Sequence, residues 1–105
     1  MRTKGGKTTW KAHRKDPVVR AAFARIIIEL RRQLKLNQRE VAERSGYSER
    51  YIGNLERRKN TPSLTAAIEI SIALEANPRE VVTKTLLLMP RFKRLERPDP
   101  EAADI

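Results

Sequence analysis

The chain has 105 residues, 23 lysines and arginines against 13 aspartates and glutamates, and no cysteine, for a net charge of +10. That length allows one domain with a modest core, which a second copy would help to bury. Disulfides and thiolate metal sites are excluded, and the lone histidine, His13, cannot build a multi-histidine site, so no metal or cofactor is expected.

Residues 1–15 hold six cations, Gly5 and Gly6, and almost no apolar side chain besides Trp10. This composition reads as a flexible basic arm. The arm lacks the apolar core of a secretory signal, and the longest apolar run, Leu86 to Met89, is far too short for a membrane span, so a cytoplasmic protein with no membrane partner is expected. Asp16-Pro17 signals a helix start, Asp16 as cap and Pro17 in the first turn. Val19, Phe23, Ile27, Leu30 and Leu34 follow at helical spacing, one buried stripe on a first helix. Asn37 caps a second helix, Gln38 to Ser45, with Val41 and Ala42 inward, and Gly46 follows it where a left-handed backbone suits glycine. Ser48 caps a third, from Glu49 to about Arg57. Pro62-Ser63 opens a fourth, with Leu64, Ala67, Ile68, Ile70, Ala73 and Leu74 apolar. Asn77 caps a fifth, with Pro78 in its first turn and Glu80 three residues on. It runs to about Met89, where Pro90 bends or ends it. Residues 91–105, with Pro98, Pro100 and an acidic end, are expected to hold little order. The expectation is an all-α, five-helix domain over residues 16–89 with no strand, between an arm (residues 1–15) and an irregular tail (residues 90–105).

Residues 38–56, QREVAERSGYSERYIGNLE, carry the functional signal. A small residue, Ala42, stands where the second and third helices must approach. Gly46 turns the chain, and Tyr47, Ile52 and Leu55 pin the third helix to the core. A helix-turn-helix results. At 100° per residue, burying Ile52 and Leu55 turns Glu49, Arg50 and Asn54 outward, with Ser48 beside them. An ordinary solvated face has the same charges, and Ser48 is explained by capping alone. Together with the turn, however, this flank reads as the leading face of a recognition helix. Arg binds guanine, Asn binds adenine, and Glu accepts from cytosine. The charge agrees: residues 1–16 carry +5 and residues 17–62 carry +6, a polarity suited to a polyanion. Catalysis fits poorly, since no spacing suggests a triad or a carboxylate pair.

Two stretches, FARIIIELRRQLKLNQREVAERSGYSERYIGNLERRKNTPSL and AIEISIALEANPREVV, resemble the phage-repressor and Cro-like (XRE-type) helix-turn-helix family over residues 23–82. The run YIGNLERRKNTPSL is also similar to the controller proteins of restriction–modification genes. The resemblance implies a DNA-binding transcription regulator of compact repressor-like fold, not an enzyme, whose partner is double-stranded DNA. It implies base reading by Glu49, Arg50 and Asn54, and backbone contacts from Asn37, Gln38, Ser48, Lys59, Asn60 and Thr61. It also implies an ion pair between Arg31 and Glu56 that orients the third helix. Two positions depart from the family: Arg58 stands where glycine is usual, and Glu75-Ala76 stands where the fourth helix usually ends in glycine.

Seven apolar residues, Ile26, Ile28, Ile72, Leu86, Leu87, Leu88 and Met89, exceed what a five-helix monomer would bury. A contiguous exposed patch marks a partner surface, so a two-fold homodimer through the fifth helix and part of the first is expected. Such a dimer sets two recognition helices about 34 Å apart over a near-palindromic operator. The competing structural reading folds Leu86 to Met89 back on its own domain. Two other functions compete: a DNA-binding antitoxin whose tail, residues 90–105, holds a small protein partner, and a non-specific nucleoid binder, which leaves the Glu49, Arg50 and Asn54 face unexplained.

Overall fold

The computed structural model describes residues 13–98; the expectations for residues 1–12, Trp10 among them, and for residues 99–105 lie outside them. Five helices follow in chain order: α1 (Asp16–Gln33), α2 (Gln38–Ser45), α3 (Glu49–Glu56), α4 (Leu64–Ala73) and α5 (Pro78–Leu88). Among the described residues, no helix is long and apolar enough to cross a membrane.

Local chemistry explains most boundaries. Asn37 Oδ1 accepts from the Glu40 amide and Glu40 Oε1 accepts from the Asn37 amide, both at 2.8 Å, so α2 opens with a reciprocal capping box. Ser48 Oγ accepts from the Tyr51 amide, Ser63 Oγ from the Ala66 amide, and Asn77 Oδ1 from the Arg79 amide. Gly46 ends α2 with φ of +83°. The start of α1 differs from expectation. Asp16 is its first residue, the preceding Lys15 already has helical dihedrals, and no side chain caps the helix. The Asp16 carboxylate instead sits in the first turn, where the helix dipole favours a negative charge.

Three helices end on non-glycine residues in the left-handed region: Lys35 (φ +58°), Arg58 (φ +65°) and Glu75 (φ +61°). Each costs about 1–2 kcal/mol relative to an unstrained backbone. Arg58 and Glu75 stand at the two positions where the family that the sequence resembles usually has glycine. Both adopt the left-handed backbone without a glycine.

The main core joins α1 through Phe23, Ile26 and Ile27 to Val41 and Ala42 of α2, Ile52 and Leu55 of α3, Ala66 and Ile70 of α4, and Val81 of α5. Ile26 is only 7% exposed, so it belongs to this core and not to a partner surface. Leu88 and Met89 are half-buried on their own domain, as is Ile28. Ile72, Leu86 and Leu87 stay 61%, 60% and 74% exposed.

The segment after α5 corrects the sequence reading. Met89–Leu95 forms a 3-10 helix kinked at Phe92 (φ −110°, ψ +16°), and Arg97–Pro98 (β2) pairs antiparallel with His13–Arg14 (β1). Lys15 Nζ also donates to Glu96. On both sides of that kink the apolar residues face one way: Met89, Phe92 and Leu95 pack on Val18, Ala21 and Ala22 of α1. Burying a phenylalanine contributes about 2–3 kcal/mol, enough to dock a short segment whose other residues are mostly charged. The packed unit therefore extends to both paired strands, beyond the 16–89 boundaries read from sequence.

Candidate nucleic-acid interface

Packing of the turn fixes what α3 can present. Ala42, Ile52 and Leu55 are buried, and Gly46 supplies the left-handed turn. Glu49 and Arg50 are exposed and Asn54 is partly so. The Asn54 Oδ1 accepts from Arg57 Nη2 at 2.8 Å, which draws the Arg57 guanidinium along the same flank. Ser48 is exposed and spends a lone pair on its cap; Asn37 is exposed with its side chain held in the capping box.

Behind this face lies a polar clamp. Arg31 reaches from α1 to the end of α3, donating from Nε and Nη2 to the two carboxylate oxygens of Glu56 at 2.7 and 2.9 Å. Its Nη1 donates to the Leu36 carbonyl at 3.0 Å. Gln38 Nε2, at the start of α2, donates to Glu56 Oε1 at 2.9 Å. One carboxylate thus ties α1, α2 and α3 together. Donation to the Glu56 carboxylate, aided by its charge, raises the Arg31 pKa further despite burial, so the guanidinium stays cationic. Gln38, which the family resemblance assigns to DNA phosphate, is also a structural strut. Sequence reading missed its neighbour Gly53: a Cβ there would lie 3.3 Å from Gln38 Oε1 and 3.1 Å from Arg57 Nη1. A glycine in mid-helix was the available signal of close approach.

The α3–α4 loop completes the face. Arg57, Arg58 and Lys59 are three consecutive exposed cations, and Asn60 is half-buried. Thr61 Oγ1 accepts from Arg20 Nε of α1 at 2.8 Å, which fixes the loop against the first helix. Among the described residues, Arg50, Arg57, Arg58 and Lys59 form no ion pair.

Two tyrosines brace the other end of α3. Tyr47 and Tyr51 stack with ring centroids 5.1 Å apart, and Tyr47 Oη donates to Glu69 Oε1 of α4 at 2.6 Å. That bond to a carboxylate, with lesser help from desolvation and charge, pushes the Tyr47 pKa up to about 12. Burial raises that of Tyr51. Below pH 10 the phenol is protonated in both folded and unfolded chains, and the bond contributes in full. From there to about pH 12 the unfolded chain releases its proton first, so stability falls with rising pH. Denaturant midpoints measured across this window should drop less steeply in Tyr47→Phe than in the wild type; equal slopes would remove the role of the Glu69 bond.

Comparison with known proteins agrees with this geometry. The helix-turn-helix family HTH_3 matches residues 27–81. The uncharacterized HTH-type transcriptional regulator y4dJ of Sinorhizobium fredii is 40% identical over 68 residues, covering 65% of this chain and 83% of the relative. The restriction–modification controller protein C.AhdI from Aeromonas hydrophila superposes with a TM-score of 0.57 at 32% identity, over 59% of this chain and 94% of that one. The clp gene regulator ClgR from Corynebacterium glutamicum superposes with a TM-score of 0.67 at 25% identity, over 75% of this chain and 84% of that one. With its turn, its core and its matched span in agreement, the chain belongs to the XRE-type helix-turn-helix family of DNA-binding transcriptional regulators.

Proposed function

We propose that the protein regulates transcription as a homodimer that reads a near-palindromic operator, with Glu49, Arg50 and Asn54 on base edges. Asn37, Gln38, Ser48, Lys59, Asn60 and Thr61 hold the backbone. The observation that carries this reading is the two-sidedness of α3: Ile52 and Leu55 are fully buried while Glu49 and Arg50 are open to solvent. A helix so locked offers its amino-terminal residues to a major groove. Homodimerisation is supported by the apolar residues left exposed on α4 and α5. Leu64, Ile68 and Ile72 form one stripe of α4, and Val82, Leu86 and Leu87 lie on α5. Leu64 and Leu86 line one groove between the two helices. With Ile26 in the monomer core, α4 takes the supporting role expected of α1.

Selection of bound sites from random DNA tests the proposal: a palindromic consensus is expected. On that consensus Arg50→Ala should cost about 1–3 kcal/mol and relax the preference at one base pair. Lys59→Ala should weaken all sequences alike and flatten the salt dependence. Equal losses on consensus and random duplexes for Arg50→Ala would contradict base reading.

A further inference from the structure

We infer that the 3-10 helix Met89–Leu95 is a second phosphate-contacting element, in which Arg91 and Arg94, continuous with Arg58, hold the DNA backbone beside the site read by α3. The inference rests on the DNA-facing assignment of α3 and its following loop, and it extends that surface onto a part of the chain outside the family match, which ends at residue 81.

The residues of the 3-10 helix have different neighbours. Met89, Phe92 and Leu95 pack on α1. Pro90, Lys93 and Glu96 line a groove with Lys15 and Leu86, and Glu96 is bonded to Lys15 there. Arg91 and Arg94, on either side of the kink at Phe92, take part in neither the α1 contact nor that groove. Both are exposed, and Arg94 Nη1 reaches back to the Arg91 carbonyl at 3.4 Å. The Phe92 ring locates this element against the DNA-facing loop: the Arg58 guanidinium carbon lies 5.0 Å from the ring centroid. Arg58 is the residue held in the left-handed turn directly after α3, so the ring and the turn position each other. Across the fold, Arg20 of α1 is bonded to Thr61 of the same loop. Cations of the loop (Arg57, Arg58 and Lys59) and of the 3-10 helix (Arg91 and Arg94) therefore lie on two elements joined by the Arg58–Phe92 contact, and none of them forms an ion pair among the described residues. Unpaired guanidiniums on one surface are costly for a compact fold through mutual repulsion. A phosphate backbone relieves that repulsion, and planar guanidinium donors match phosphate oxygens bidentately.

The test is equilibrium binding of the full chain across a salt series, to a 40-bp duplex carrying the selected site at its centre and to a random-sequence duplex of equal length. Arg91→Gln/Arg94→Gln should lower the slope of log affinity against log salt by about 2 on both duplexes, at about 0.9 per phosphate contact. The ratio of specific to random binding should be unchanged. Arg79→Gln/Lys84→Gln, which removes two exposed α5 cations that form no ion pair among the described residues, should leave the slope as it was and controls for net charge. An unaltered slope for the Arg91/Arg94 variant, or an equal fall for the α5 control, overturns the inference. So does a fall in the specificity ratio, which would mean base reading. If instead Arg50→Ala leaves that ratio intact while the Arg91/Arg94 variant lowers the slope, base reading by α3 fails and the phosphate role of the 3-10 helix stands.

Discussion

Leu86→Asp combined with Leu87→Asp is expected to give a folded monomer that binds a two-half-site operator about 100- to 10,000-fold more weakly than the wild type, the range in which linked binding exceeds a single contact. Leu86 and Leu87 are 60% and 74% exposed, so their own domain gains little from them and should tolerate the change. An interface would gain much more, because aspartate must be desolvated there against apolar neighbours. Leu64 of α4, 73% exposed and lining the same groove as Leu86, would extend that interface. Sedimentation at micromolar protein, with and without operator, reads the assembly directly, and circular dichroism checks the fold. A wild type that sediments as a monomer under both conditions rules out the dimer. A double variant that stays dimeric moves the interface elsewhere.

The second large effect concerns stability. Glu56→Ala should destabilise the domain by about 3 kcal/mol, the lower end for breaking a buried pair because the Arg31 and Glu56 side chains retain 15% and 7% exposure. The loss has two sources. Arg31 keeps its charge with only the Leu36 carbonyl as acceptor, and Gln38 Nε2 loses its partner. Replacing both members of the pair by apolar residues of similar volume, Arg31→Met with Glu56→Leu, should recover most of the loss, because no unpaired charge is left behind. Urea denaturation of the two variants checks this contrast. If the double variant is as unstable as Glu56→Ala, the clamp contributes through its charges and not merely by avoiding an orphaned one. Removal of the clamp should also loosen α3 against α1 and α2, so Glu56→Ala should lose DNA affinity although Glu56 faces the protein.

Residues with one local role were legible in the sequence. Gly46 and the serine and asparagine caps declare themselves by chemistry that acts within a few residues, and the stripe containing Phe23 and Ile27 by its period. The polar clamp was legible only through family resemblance, because Arg31 and Glu56 are 25 residues apart and look like two more surface charges. What escaped was packing between distant small residues. Ala21 and Ala22 give no hydrophobic signal strong enough to announce a second apolar surface, and Phe92 sits among cations and prolines that suggest an open tail. Their contact makes both meaningful. Ile26 escaped for the opposite reason: a stripe wider than one core needs was read as surplus, while Phe23, Ile26 and Ile27 all join the main core. The role of Gln38 as a strut was hidden because a helix-starting glutamine is explained equally well by contact with phosphate.

The short ladder between β1 and β2 also has a kinetic meaning. It and the Lys15–Glu96 bond join positions about 80 residues apart, the bonded pair being separated by 81, so the entropic cost of closing that loop is met only after the helices have already brought the ends together. The clasp should form last and open first. In hydrogen exchange its amides would lose protection well before those of α1 and α3, with the remainder of the domain still intact.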